Sequence, residues 1–91
     1  QAFVCSYDVV AHDLIEKLKA AGYRVPQDVA VTGYDDMQLS QFSSPRITTY
    51  RVDTGEMARV VVRQILLRIK GKPAISGNIT VPGTFLPRES A

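Results

Sequence analysis

The chain has 91 residues, enough for one small domain, and its 45% hydrophobic and 22% charged residues are typical of a globular protein. No apolar run approaches the roughly 20 residues that span a bilayer. The net charge of +2 comes from scattered basic residues, which argues against nucleic-acid binding by this chain alone, and a single cysteine excludes an internal disulfide.

The first half of the chain predicts two strands around a helix. Residues 2–6 are apolar and predict a strand that is buried on both faces. Residues 9–21 carry an apolar stripe at helical spacing, with Asp8 as the expected N-cap and Gly22 as the expected end of the helix. Residues 29–32 predict the second strand.

The second half continues the alternation. We expect a short helix over residues 37–42, a strand over 47–50, a long helix over 54–70 and a last extended segment over 78–86. The long helix is apolar on two sides, which is usual for a helix with two neighbours. This order favours an α/β fold with a parallel sheet, in which one or two further strand–helix units are expected upstream of Gln1.

Signals of catalysis are weak. The chain has no G-x-S-x-G elbow, no P-loop and no G-x-G-x-x-G motif. His12, the only histidine, is interpreted as an ordinary residue of a helix surface or an interface, and Cys5 as a small core residue. We therefore expect no enzyme activity, no metal and no cofactor.

Two adjacent carboxylates, Asp35 and Asp36, follow the second predicted strand. In an extended segment neighbouring side chains point to opposite faces, so an acid/base pair is not expected. One carboxylate is expected to cap the short helix at Met37. The other would point beyond the carboxyl end of the strand, where open α/β sheets bind ligands, and Tyr7 and Asp8 occupy the same kind of position after the first strand. The residues alone leave capping and ligand binding equally open.

Four segments together resemble the carboxyl-terminal part of the lactose-repressor/galactose-repressor family of bacterial transcription regulators. They are AAGYRVPQDVAVTGYDD, SPRITTYR, GEMARVVVRQILLRIKGK and FLPRES. The resemblance covers almost the whole chain, and it favours the repressors over the periplasmic sugar-binding proteins that share their fold.

The resemblance implies a type I periplasmic-binding-protein-like fold, a parallel sheet with flanking helices, of which this chain is an incomplete fragment. It assigns residues 1–51 to the second lobe, 52–80 to a helix and strand of the first lobe, and 81–91 to a crossover and final segment. The family's DNA-reading helix-turn-helix would lie upstream of Gln1.

The implied function is sensing of a small sugar or nucleoside-like effector in an inter-lobe cleft of a cytoplasmic, dimeric repressor. Operator DNA would be bound only through the missing amino-terminal domain, and no membrane partner is expected. One alternative is a periplasmic solute-binding protein used for uptake, which a signal peptide in place of a helix-turn-helix would reveal. Another is an enzyme with an open α/β fold.

The resemblance also implies roles for single residues. Asp35 would bind effector hydroxyls or ring atoms, which leaves Asp36 to start the short helix. Tyr7 stands where the family commonly has asparagine and would offer a ring for stacking, and Val52 replaces a common polar residue. The residues expected at a dimer interface are His12, Ile15, Lys19, Leu39 and Phe42.

Overall fold

A computed structural model describes all 91 residues. The chain divides into unit 1, residues 1–52 and 84–91, and unit 2, residues 53–83. The predicted order of strands and helices is confirmed, although only a short part of the segment 78–86 is a strand. The elements are β1 Ala2–Val4, α1 Asp8–Ala20, β2 Ala30–Thr32, α2 Gln38–Phe42, β3 Thr49–Arg51, α3 Thr54–Ile69 and β4 Thr84–Leu86.

The strands of unit 1 lie side by side in the order β1, β2, β3, β4. β1 pairs with β2 in parallel, and a parallel bridge between Thr32 and Thr48 joins β2 to the start of β3. β4 runs antiparallel to β3, with Phe85 opposite Tyr50. The parallel α/β arrangement expected from the sequence is confirmed, and the carboxyl ends of β1, β2 and β3 therefore meet at one edge.

The first strand is not buried as expected. All three residues of β1 are exposed, and Val4 has 87% of its surface accessible. The reason is that β1 is an edge strand in this chain, with a hydrogen-bonded neighbour on one side only. An apolar run in the sequence indicates that burial would be favourable. Whether the strand is buried depends on other elements that pack over it.

The core of unit 1 forms between α1 and the parallel strands. Ile15 of α1 is fully buried there, so it has no surface to offer a second subunit and is removed from the expected dimer interface. Full burial of such a side chain contributes about 1.5–3 kcal/mol. Cys5 packs at the edge of the same core, and burial raises the pKa of its thiol. The buried apolar residues are Ala11, Ile15, Val25, Val29, Val31 and Ile47.

The carboxyl-terminal tail is hydrogen-bonded to two strands through one buried serine. The Ser90 hydroxyl donates to the Val31 carbonyl at 2.6 Å and accepts from the Thr48 amide at 2.9 Å. The Val31 amide donates back to the Ser90 carbonyl at 2.8 Å. The tail is thus an integral part of unit 1.

Unit 2 is built around α3. The Asp53 side chain caps the helix by accepting from the Glu56 amide at 2.9 Å, and Gly71 follows the helix with a positive φ of 64°. No residue of α3 is buried. Its exposed apolar residues include Val61, Val62, Ile65, Leu66 and Ile69. Neither α3 nor any other helix has the length and apolar character that a membrane crossing requires.

Candidate functional site

The loop of residues 34–37 follows β2 at the carboxyl edge of the parallel strands. Its two aspartates have positive φ angles, 96° for Asp35 and 49° for Asp36. The expectation of an extended segment with opposed side chains is therefore wrong. Residues with a Cβ rarely adopt this left-handed region, and they remain there only where surrounding contacts hold them.

A buried carboxylate supplies several of those contacts. The Asp8 side chain has no exposed surface and accepts from the Met37 amide and from the Thr49 hydroxyl, each at 2.6 Å. The Asp8 amide donates to the Tyr34 carbonyl at 3.1 Å. Asp8 is therefore not the N-cap of α1 as expected, since Tyr7 occupies that position. Its carboxylate instead holds the amide of the residue that precedes α2.

The close approach of Asp8 explains why residue 33 is glycine. A Cβ on Gly33 would lie 2.1 Å from the Asp8 Oδ1 atom and 3.0 Å from its Cα. The Gly33 amide also donates to the Thr48 carbonyl at 2.8 Å, and a backbone shift away from Asp8 would strain or break this bond. A side chain at this position would displace the carboxylate that organises the loop.

Asp36 does not start α2, which corrects the helix-capping expectation. The N-cap position is Met37, and no side chain caps this helix. The Asp36 carboxylate, only 5% exposed, accepts from the Arg51 Nε atom at 2.8 Å and from the guanidinium of Arg88. It also accepts from the Ser40 hydroxyl at 3.3 Å. Burial would raise the pKa of Asp36, but the hydrogen bonds from the two arginines outweigh it and hold the pKa below its ordinary value.

The side chain of Asp35, unlike that of Asp36, is exposed and unpaired. Its amide donates to the Tyr50 carbonyl at 2.8 Å, which anchors the backbone to β3. Its side chain is exposed and has no hydrogen bond or ion pair with the rest of the chain. Hydrogen bonds thus hold the main chain of the loop in place. The oxygen atoms of the Asp35 carboxylate remain free to accept hydrogen bonds from another molecule.

Aromatic residues lie at the same edge of the sheet as Asp35, and only one of them was predicted from the sequence. Tyr34 stacks on Tyr50 with ring centroids 5.7 Å apart and planes inclined by 12°. Phe85 lies directly opposite Tyr50 in the antiparallel pair, so both side chains are on one face. Tyr7, the predicted residue, is 56% exposed and follows β1 at the same edge as Asp35. The adjacency of β2 and β3 was the missing signal, because it brings Tyr34 and Tyr50 together.

This arrangement combines two kinds of recognition. A free carboxylate accepts hydrogen bonds from hydroxyl or amide groups, and each charge-assisted bond contributes roughly 1.5–3 kcal/mol. Exposed aromatic faces pack against the C–H face of a sugar ring or against a flat heterocycle. Both groups are suited to holding a polar ligand that has a ring.

The residues predicted for a dimer interface lie on α1 and α2, which pack against each other. Phe42 is 75% exposed and Leu39 is half-buried. Lys19 donates to the Glu16 carboxylate at 2.9 Å and to the Ser44 carbonyl at 3.0 Å. His12 is half-buried, and its Nδ1 atom is buried without a hydrogen-bond partner.

Comparison with known proteins identifies the family of this chain. The periplasmic binding protein-like domain family matches residues 1–91. An HTH-type transcriptional regulator of Bacillus subtilis, YvdE, is 37% identical over 98% of this chain and 28% of its own length. The chain spans between a quarter and a third of the length of the regulators that it matches.

Two solved structures have the same fold. The complex of the transcriptional regulator CelR with cellobiose matches with a TM-score of 0.91 and 31% identity, over 99% of this chain and 28% of that one. The Lac repressor dimer bound to operator and the anti-inducer ONPF matches with a TM-score of 0.90 and 28% identity, over 98% of this chain and 31% of that one.

Proposed function

The chain belongs to the periplasmic binding protein-like domain family, and we propose that it is the carboxyl-terminal part of the effector-binding domain of a bacterial transcriptional repressor. Unit 1 would belong to the second lobe and unit 2 to the first lobe. The regulators that match the chain over nearly all of its residues support this assignment over a solute-binding protein for uptake or an enzyme. Operator DNA would be bound by another part of the same cytoplasmic protein.

We further propose that the effector is a neutral sugar held at the edge that carries Asp35. The observation that carries this proposal is an exposed Asp35 carboxylate without a hydrogen bond or ion pair in the chain, beside an Asp36 carboxylate and a Met37 amide that are both bonded within it. The stacked rings of Tyr34 and Tyr50 supply an apolar surface on which the face of a sugar ring can pack. Tyr7 follows the neighbouring strand, β1, at the same edge of the sheet. The solved complex of a similar regulator with cellobiose supports the sugar class over a nucleoside.

In this proposal, effector binding favours one of two arrangements of the effector domain, and the difference in free energy is transmitted to the DNA-binding part. Such coupling is typically 1–3 kcal/mol, or about 5- to 150-fold in affinity. Asp35 contributes by accepting hydroxyl hydrogen bonds, so its removal should weaken binding of the effector without disturbing the fold.

The experiment compares Asp35→Ala with Asp13→Ala in a full-length regulator that carries this chain. Asp13 is an exposed carboxylate on α1, in a different part of unit 1. Titration calorimetry with cellobiose and with ribose should show binding that Asp35→Ala weakens about 10- to 150-fold and that Asp13→Ala leaves unchanged. Equal affinities for Asp35→Ala and wild type would mean that the carboxylate does not hold the sugar.

We propose a homodimer formed through α1 and α2, with His12, Lys19, Leu39 and Phe42 at the interface. The large exposed surface of Phe42 supports it, as does the dimeric Lac repressor among similar structures. Phe42→Ser should shift sedimentation of the full-length regulator from dimer towards monomer at micromolar concentration. A variant that stays fully dimeric would remove this face from the proposal.

A further inference from the structure

We propose that Arg51 and Arg88, acting through Asp36, are positioning residues for the effector-binding carboxylate of Asp35. The proposal rests on the effector role of Asp35 given above and assigns a function to the ion pairs beside it. Neither arginine is required to touch the effector. Both would set the place and direction of Asp35 by fixing the residue that follows it.

The loop needs more than its backbone hydrogen bonds. Asp35 and Asp36 are consecutive residues in the left-handed region, at φ 96° and 49°. The Asp36 amide makes only a long bond, 3.3 Å, to the Thr49 hydroxyl. A rarely populated conformation persists only where surrounding contacts over-determine it. Besides the bond from the Asp35 amide to Tyr50, the strong contacts of this pair come from the side chain of Asp36.

The arginines hold Asp36 from two directions. Arg88 is 15% exposed at its side chain and is itself fixed, since its Nη1 atom also donates to the Ser40 hydroxyl at 2.8 Å and to the Ile47 carbonyl at 3.1 Å. Arg51 is 55% exposed and bonds the second carboxylate oxygen at 2.8 Å. With both oxygens engaged, Asp36 can neither rotate nor slide without breaking an ion pair.

The two arginines also lie next to the two points where the chain passes between unit 1 and unit 2. Arg51 is the last residue of β3, one residue before the chain passes from Val52 into unit 2. Arg88 follows β4, the strand with which the chain re-enters unit 1 at Thr84. Asp36 therefore ties the effector loop to both connecting strands, and a displacement of either strand would be passed to Asp35.

A neighbouring ion pair provides a matched control. Arg46 and Glu89 form a bridge of 2.9 Å with side-chain exposures of 58% and 52%. Like the Asp36 pairs, it joins residues that are distant in the sequence and belong to unit 1, and its arginine is as exposed as Arg51. Neither residue has a hydrogen bond or ion pair with residues 34–37, so the pair measures what a surface ion pair contributes to stability alone.

The test is hydrogen exchange, measured by mass spectrometry, on a full-length regulator that carries this chain. Wild type is compared with Arg51→Gln, Arg51→Lys and Arg46→Gln. Peptides covering residues 33–42 should exchange about 2- to 5-fold faster in Arg51→Gln, the change expected when a half-exposed ion pair is lost. Arg51→Lys should recover part of the protection, and Arg46→Gln should match wild type over the same peptides.

Peptides covering residues 2–20 report stability at a distance from the loop and should not change in any variant. Uniform acceleration in Arg51→Gln, or equal effects of Arg51→Gln and Arg46→Gln, would reduce the ion pair to general stabilisation and overturn the proposal. Calorimetry with cellobiose and ribose is a separate measurement. If wild type binds neither sugar, the proposed effector class fails while the exchange data still decide the role of Arg51.

Discussion

The two units of this chain differ in how much apolar surface they bury. Unit 1 encloses a core in which Ile15, Val31 and Ile47 have no exposed surface, and its tail is bonded to two strands through buried Ser90. Unit 2 has a well-capped helix, α3, in which no residue is buried. Local signals alone therefore make a good helix, whereas a core requires a second layer of the right shape.

The difference in buried core explains why the candidate binding site lies in unit 1. In unit 1 the core fixes β2 and β3, and β3 holds the loop of residues 34–37 through hydrogen bonds from the amides of Asp35 and Asp36. A side chain can be presented in a rare conformation because rigid neighbours surround it. Unit 2 contributes apolar helix surface that favours packing against further protein.

The largest expected effect is the loss of core packing. Ile15→Ala should lower the free energy of unfolding of unit 1 by about 2–5 kcal/mol, because it leaves a cavity beside Val31 and Ile47. Ile65→Ala, at a residue of α3 that is 51% exposed, should change it by less than about 0.5 kcal/mol.

Tyrosine fluorescence during urea unfolding is the right measurement, because all four tyrosines lie in unit 1. If both variants shift the transition equally, the two units share one core and the contrast between them is incorrect. A shift confined to Ile15→Ala would sharpen the contrast by showing that unit 1 unfolds independently of the α3 surface.

Two glycines give the next largest difference. Gly33→Ala in unit 1 should cost about 1–3 kcal/mol, because its Cβ would collide with the Asp8 carboxylate. Gly77→Ala in unit 2, at φ 106° with no atom within 4 Å of the new Cβ, meets only backbone strain. The strain at residue 77 falls in unit 2, which has no tyrosine. If unit 1 unfolds independently, thermal unfolding followed by tyrosine fluorescence should shift for Gly33→Ala and stay in place for Gly77→Ala.

The sequence predicted the elements better than their surroundings. The helices and the carboxyl end of α1 were accessible because apolar spacing and glycine stops are local, as Gly22 shows by following α1 with a positive φ of 88°. The predicted N-caps, Asp8 and Asp36, were both wrong, because each carboxylate bonds distant parts of the chain. The resemblance to the lactose-repressor/galactose-repressor family, which rests on quoted segments, is confirmed. Burial of β1 was wrong because an apolar run does not reveal whether a layer covers it.

The site was harder to predict, because it depends on contacts between distant parts of the chain. Asp36 was assigned to a helix cap from its position before Met37, yet one of its partners, Arg88, is 52 residues away. Asp8 holds an amide 29 residues away. Ile15 was placed at an interface because a stripe in a helical pattern does not separate core residues from those at its margin. The roles of Asp35 and Tyr7 remain predictions.

The smallest expected effect concerns acid stability, and it belongs to unit 1. Hydrogen bonds from the side chain and backbone of Arg24 lower the pKa of Asp28 from 3.8 to about 2. Hydrogen bonds from the backbone and side chain of Arg46 lower the pKa of Glu89, and that of Asp36 is also lowered. A lowered pKa in the folded state means that the unfolded chain takes up protons first on acidification. These groups therefore stabilise the fold above their unfolded values, 4.5 for glutamate and 3.8 for aspartate, and lose that contribution as the pH falls through the folded values.

We expect the melting temperature reported by tyrosine fluorescence to fall steadily from about pH 4.5 to about pH 2. Asp28→Asn should flatten the lower part of this curve, between pH 3.8 and about 2, because the variant has no proton to take up there. Arg24→Gln should have the same effect for a different reason, since it returns the pKa of Asp28 towards its unfolded value. The effect should be small because the pair lies at the surface, where salt screens it, and 0.5 M salt should reduce it further. If the curve of Asp28→Asn has the slope of wild type throughout, the acid sensitivity of unit 1 comes from its other ion pairs, and Asp36 becomes the next group to replace.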